Sequence, residues 1–172
     1  MTRATLEEAW LRGPVHGIPS LLMPCAHALI QAQEDVQQVL GALTPEQIWL
    51  KPGGAASVGF HARHLAGALD RLFTYARGEM LNEAQRRAKA DEDRTTGLDG
   101  GTLTAEVASA VNRAMSQLRG TSEAILLEPR DVGRNRAPST VIGLLFHAAE
   151  HTTRHAGQAI TTARILAGTG AA

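Results

Sequence analysis

The chain has one cysteine and two lysines, and its 172 residues include only two Trp, one Tyr and three Phe. Each scarcity excludes something. A lone Cys25 allows no intramolecular disulfide, and beside Pro24 on an apolar stretch it reads as a small core hydrophobe rather than a nucleophile. So few aromatic rings leave no stacking surface for single-stranded nucleic acid. Net charge is missing too, since 17 basic and 17 acidic residues cancel. The bases are nearly all Arg and form no stripe, so neither nucleic acid nor an anionic membrane is an expected partner. There is no run of about 18 apolar residues and no signal-peptide pattern, which leads to the expectation of a soluble, cytoplasmic protein with no membrane contact. Strand-period alternation of useful length, internal repeats and low-complexity tracts are also absent.

What is present is helical periodicity. Residues 1–19 hold Trp10, Gly13, Pro14, Gly17 and Pro19 and read as an arm packed on the body. From Ser20 to Leu43 apolar residues recur at helical spacing through Leu22, Ala26, Leu29, Ala32, Val36, Val39, Leu40 and Leu43, with Pro24 tolerated in the first turn. Thr44-Pro45-Glu46-Gln47 is a capping sequence for a short helical turn. A second long helix is expected from Ser57 to Arg77, stopping at Gly78. A third is expected from Thr104 to Leu127, with Gly120 as a weak point. Between them, residues 79–101 begin as a polar, helix-compatible segment and end in a Gly-rich loop. The fourth should open after Pro138 with Ser139 as N-cap and end near Gly168. Four amphipathic helices with long connections predict an all-α, antiparallel four-helix bundle over residues 20–168, with 169–172 as a flexible tail.

Seven histidines are many for this length, and they are unevenly placed. His147, His151 and His155 fall four residues apart on the last helix, which stacks them on one side. The apolar stripe there runs through Val141, Leu144, Leu145, Ala148, Thr152, Ala159 and Leu166. His155 lies within it and His151 at its edge, with His147 and Gln158 further round. Inward-facing imidazoles need partners, because an unsatisfied buried polar group costs kcal/mol, and a metal satisfies several at once. Two imidazoles on one helix and a third from a neighbour make a site with open coordination positions. On the second long helix the stripe Val58, Leu65, Leu69, Leu72 and Ala76 lies nearer His61 than His64, so periodicity alone selects His61 as the inward residue. His147-Ala-Ala-Glu-His151 is not the His-Glu-x-x-His metalloprotease signature, because its Glu stands at the wrong position.

Two segments resemble the DinB-like (DinB/YfiT) family. Leu144-Leu-Phe-His-Ala-Ala-Glu-His-Thr-Thr-Arg-His-Ala-Gly-Gln158 is similar to that family's final-helix pattern of His-x₃-His-x-Gly-Gln. Ser57-Val-Gly-Phe-His-Ala-Arg-His-Leu-Ala-Gly-Ala-Leu-Asp70 resembles, less specifically, its second helix with a characteristic His-Leu. The Thr44-Pro45-Glu46 turn is also typical, and the resemblance spans about Ser20 to Leu166. It implies one divalent metal, zinc or nickel, held by His64, His151 and His155, and it overrules the periodicity preference for His61. It further implies that His147, His61 and Gln158 line the pocket, that Gly157 permits close helix approach, and that the protein is a homodimer. A three-His metal lowers the pKa of bound water towards about 7 and deprotonates a bound thiol. The residues leave hydrolysis and S-transfer both open; the resemblance favours transfer to or from a low-molecular-weight thiol. A non-enzymatic metal-binding or interaction module is the competing reading. Glu150, Asp70 and Arg63 are the only general-base candidates near the motif, and none is assured.

Overall fold

The computed structural model describes residues 7–169, and the expectations for residues 1–6 and 170–172 lie outside them. Four long helices carry the core: α1 (Met23–Gly41), α3 (Val58–Ala76), α5 (Gly100–Gly120) and α6 (Val141–Thr169). Two short helices, α2 (Pro45–Trp49) and α4 (Glu83–Ala90), lie in the connections.

Local chemistry sets most of the boundaries. At α2, Thr44 Oγ1 accepts from Gln47 N while Gln47 Oε1 accepts from Thr44 N, the expected capping box. Ser57 caps α3, and that helix stops before Gly78 at φ 79°, a left-handed backbone that glycine adopts freely. α1 begins three residues later than expected, after a 3-10 turn over Ser20–Leu22, with Pro24 in its first turn.

Three expectations need correction. α5 spans Gly100–Gly120, not 104–127, because the side chain of Asp99 caps Thr102 N at 2.7 Å and so draws Gly100 and Gly101 into the helix. The apolar Ala124-Ile125-Leu126 beyond it belongs to a separate turn. A two-stranded antiparallel hairpin also forms, β1 (Pro129–Val132) with β2 (Ala137–Thr140), its loop using Gly133 at φ 69° and Arg136 at φ 50°. Ser139 lies in β2 rather than capping α6, and Thr140 Oγ1 accepts from Gly143 N instead.

The bundle is not antiparallel throughout. α3 and α6 run antiparallel, since Ala56 O meets Thr162 at one end and Ala76 O meets Arg130, just before α6, at the other. α1 and α5 are also antiparallel. A Cβ on Gly100 would lie 2.7 Å from Leu40 O, and Leu21 N donates to Glu123 past the far end. α3 and α5, however, run side by side in the same direction: Trp49 Nε1, just before α3, reaches Leu98 O, and Gln117 reaches Phe73 O. A parallel pair needs a long crossover, and residues 77–99 supply it. The core is apolar, with Leu22, Leu29, Leu40, Leu65, Leu103, Leu118 and Leu145 fully buried. The expected stripe of α6 is buried throughout, and Cys25 lies in the core at 3 % exposure. The described part of the arm packs on α1: Arg12 makes a two-pronged pair with Glu34, and Ala9 N donates to Gln31.

Candidate metal centre

The seam between α3 and α6 brings together residues that lie far apart in sequence. Antiparallel packing sets the first two turns of α3 against the middle of α6. His64 Nε2 then lies 3.0 Å from His151 Nε2, and His61 Nδ1 lies 3.0 Å from His155 Nδ1. One nitrogen from each of His64, His151 and His155 falls within 4.8 Å of the others, and all three side chains are partly buried. His64 Nε2 and His151 Nε2 already stand close to the roughly 3.3 Å that separates ligand nitrogens about 2.0–2.1 Å from a tetrahedral metal. Phe60 stacks on His64 with ring centroids 5.3 Å apart and closes one side.

Burial and clustering separate here. His61 is the more buried of the two α3 histidines, 4 % exposed, as the apolar stripe indicated. It is His64, however, that joins the cluster. His61 stands behind His155 and shares with Gln158, Arg154 and Thr161 an open depression beside α6. His147 sits half-exposed at the rim and turns to Glu150 at 2.7 Å rather than into the cluster. Gly157 is exposed, and a Cβ there would meet nothing within 4 Å, so it permits no close helix approach. The base candidates are also engaged elsewhere. Glu150 pairs with Arg154, Asp70 accepts from Gln85 in the α4 contact, and Arg63 donates to the carbonyls of Asp91 and Arg94.

The electrostatics favour the neutral form of His61, His151 and His155. Burial, followed by the fields of His64, His151 and His61, holds His155 down at about 4. Burial and then His64 lower both His61 and His151. Neutral imidazole is the ligating form. His151 Nδ1 is buried without a hydrogen-bond partner, the only such side-chain atom among the described residues. Ring nitrogens 3.0 Å apart, with an orphaned nitrogen on the His151 ring, form a donor set that a cation could satisfy.

One residue of this neighbourhood lies outside the sequence expectations. Glu92, in the crossover just after α4, is 7 % exposed; its Oε2 lies 2.8 Å from His64 Nδ1 and its Oε1 pairs with Arg71 Nη1. Burial pushes its carboxyl up, but the bonds from His64 and Arg71 outweigh that and hold it below the usual range. Gly67 makes room for this arrangement, since a Cβ there would run into Glu92 Oε1 and lie 2.8 Å from Arg71 Nη1. No periodicity marks Glu92, so the only available signal was a carboxylate within a polar connection.

Comparison with known proteins agrees with this fold. A family model described as the DinB superfamily matches residues 28–159. The fold is similar to that of a conserved protein from Enterococcus faecalis (TM-score 0.70, 20% identity, covering 86% of this chain and 97% of that one). It is also similar to a DinB-like protein from Bacillus cereus (TM-score 0.57, 19% identity, 77% and 84% covered). A third similar structure is an uncharacterised protein from Escherichia coli UTI89 (TM-score 0.60, 14% identity, 87% and 96% covered). No curated protein matches the sequence. Among the described residues no helix is long and apolar enough to cross a membrane.

Proposed function

The chain belongs to the DinB superfamily, and we propose that it is a divalent-metal protein that activates a low-molecular-weight thiol or a water molecule for transfer to a small substrate. The observation that carries the reading is the convergence of His64, His151 and His155 from two helices, with their nitrogens within 4.8 Å. Zinc or nickel fits this all-imidazole donor set. Such an ion, when bound, supplies a full positive charge and open positions at which a thiol or water loses its proton near neutral pH.

The chain's own residues prepare the place. His155 Nδ1 is occupied by His61, which leaves its Nε2 free for a ligand and fixes the ring. Phe60 shields one side of His64 from water. The depression beside His61 and Gln158 gives a small molecule a place to rest against α6, with Arg154, itself paired with Glu150, at its edge. A hydrolase differs from a thiol transferase only in what enters the open position. The competing reading, a module in which the ion merely ties α3 to α6, requires a closed site.

The protein should also be a homodimer in the cytoplasm. Trp10 and Phe146, 61% and 60% exposed, border two adjoining apolar grooves that share Pro24, Ala28 and Thr153. Exposed apolar patches of this kind mark interaction surfaces. Sedimentation should give twice the chain mass, and Phe146→Glu should return it to the monomer.

The direct test is metal analysis of untagged protein after dialysis. His64→Ala and His151→Ala should abolish retention of zinc or nickel, whereas His61→Ala should keep it. The reverse pattern would transfer the ligand role to His61. Cobalt-loaded protein titrated with cysteine should develop a sulfur-to-cobalt absorption band. A metal that raises the melting temperature but admits no thiol or anion would support the structural module.

A further inference from the structure

The crossover reaches the metal centre through a single side chain, Glu92. It arrives from a segment 28 residues beyond His64 and buries a carboxylate between an imidazole and a guanidinium. One oxygen takes His64 Nδ1 at 2.8 Å and the other takes the Arg71 guanidinium. The segment that carries it is itself fastened, because Arg63 Nη1 donates to Asp91 O at 2.9 Å and to Arg94 O at 3.2 Å on either side of it. Gly67 keeps the helix surface beneath it bare. Five residues of one neighbourhood therefore converge on holding one carboxylate against one imidazole nitrogen.

We propose that Glu92 is the positioning residue of His64: it holds the ring in the Nδ1–H tautomer, so that Nε2, the nitrogen facing His151, always presents its lone pair. This rests on the metal reading above, in which His64 is a ligand. The physical reason is tautomeric. A neutral imidazole has one N–H, and a carboxylate, which can only accept, requires it on the nitrogen it faces. A carboxylate behind a ligating histidine also raises its basicity and fixes the ring plane. Arg71 holds the carboxylate in turn, and leaves it less able to rotate towards solvent. Of the three clustered histidines, His64 alone has an anionic partner on its second nitrogen; His155 has His61, and His151 Nδ1 has none.

The test uses the whole chain and zinc as probe. Glu92→Ala alone would strand Arg71 as an unpaired buried charge, so the main variant is the double Glu92→Ala/Arg71→Met, with Glu92→Gln beside it. Zinc affinity is measured by competition with a chromophoric chelator, and the His64 tautomer is read from ¹⁵N–¹H ring correlations of the metal-free protein. The double variant should bind zinc about 10- to 100-fold more weakly, with His64 shifted towards the Nε2–H form. Glu92→Gln, whose amide oxygen still accepts from Nδ1, should keep the tautomer and lose less affinity; it carries the test if the double variant does not fold. Wild-type affinity in the double variant, or an unchanged tautomer, overturns the positioning role. Failure of the wild-type protein itself to take up zinc overturns the metal reading, and this role with it.

Discussion

The two antiparallel seams of this bundle are built from similar helices and opposite chemistry. Every buried residue of α1 and α5 is apolar, from Leu29 and Val36 on one to Leu103 and Leu118 on the other. Helices α3 and α6 bury His61, Arg71, Thr74, Thr152 and Thr162 and crowd three further imidazoles into the seam between them. Apolar contact is non-directional and needs only volume, so the α1–α5 seam provides cohesion. Buried polar groups need named partners, so the α3–α6 seam is specified atom by atom and is marginal wherever one partner is missing. Cohesion and polar chemistry are thereby assigned to different sides of the same core.

Mutation can break that division. Leu103→Ala, at a fully buried position of α5, should destabilise the fold by about 2–5 kcal/mol in chemical denaturation. It should leave zinc stoichiometry of the folded fraction unchanged. A variant that loses the metal as well would show that the seams are not independent. Metal addition tests the other side. Zinc at about 100 times its dissociation constant should stabilise the wild type by about 2.7 kcal/mol and His151→Ala hardly at all, read as a shift in denaturation midpoint.

Acid should find the polar seam first. His61, His151 and His155 stand below the ordinary imidazole range in the fold, His155 at about 4. In the unfolded chain they return to about 6.5, so between those limits the unfolded state binds more protons. The stability of metal-free protein is therefore complete above about pH 6.5 and falls as the pH drops towards 4. Melting curves from about pH 7 to about pH 5 should show the decline, and His155→Ala should flatten it. The smallest effect belongs to Cys25. Burial raises its thiol pKa, so iodoacetamide should label native protein far more slowly than protein in denaturant, with wild-type zinc binding maintained.

The apolar seam was the more legible of the two in the sequence. A 3.6-residue rhythm is written in every buried Leu and Val, and the stripes of α1, α3 and α6 follow from it directly. Boundaries set by single polar side chains were harder to read. Asp99 holds two glycines in α5 against their propensity, and the hairpin of residues 129–140 is too short and too charged to show strand alternation. At the centre, periodicity found the buried residue, His61, while the motif pointed to the clustered one, His64. Glu92 was invisible because its place depends on how a crossover without periodicity folds back over α3.

The parallel placement of α3 and α5 has a consequence for synthesis. His64 and His151 are 87 residues apart, and His61 and His155 are 94 apart. A ribosome making about 5–20 residues per second delivers the second pair roughly 4 to 17 seconds after His64. Glu92 leaves in between, with the crossover. The growing chain thus exposes one histidine of the triad with its carboxylate partner, and the two that close the cluster come last. His151 and His155 are made only with α6, so the triad cannot assemble until the bundle has its final helix.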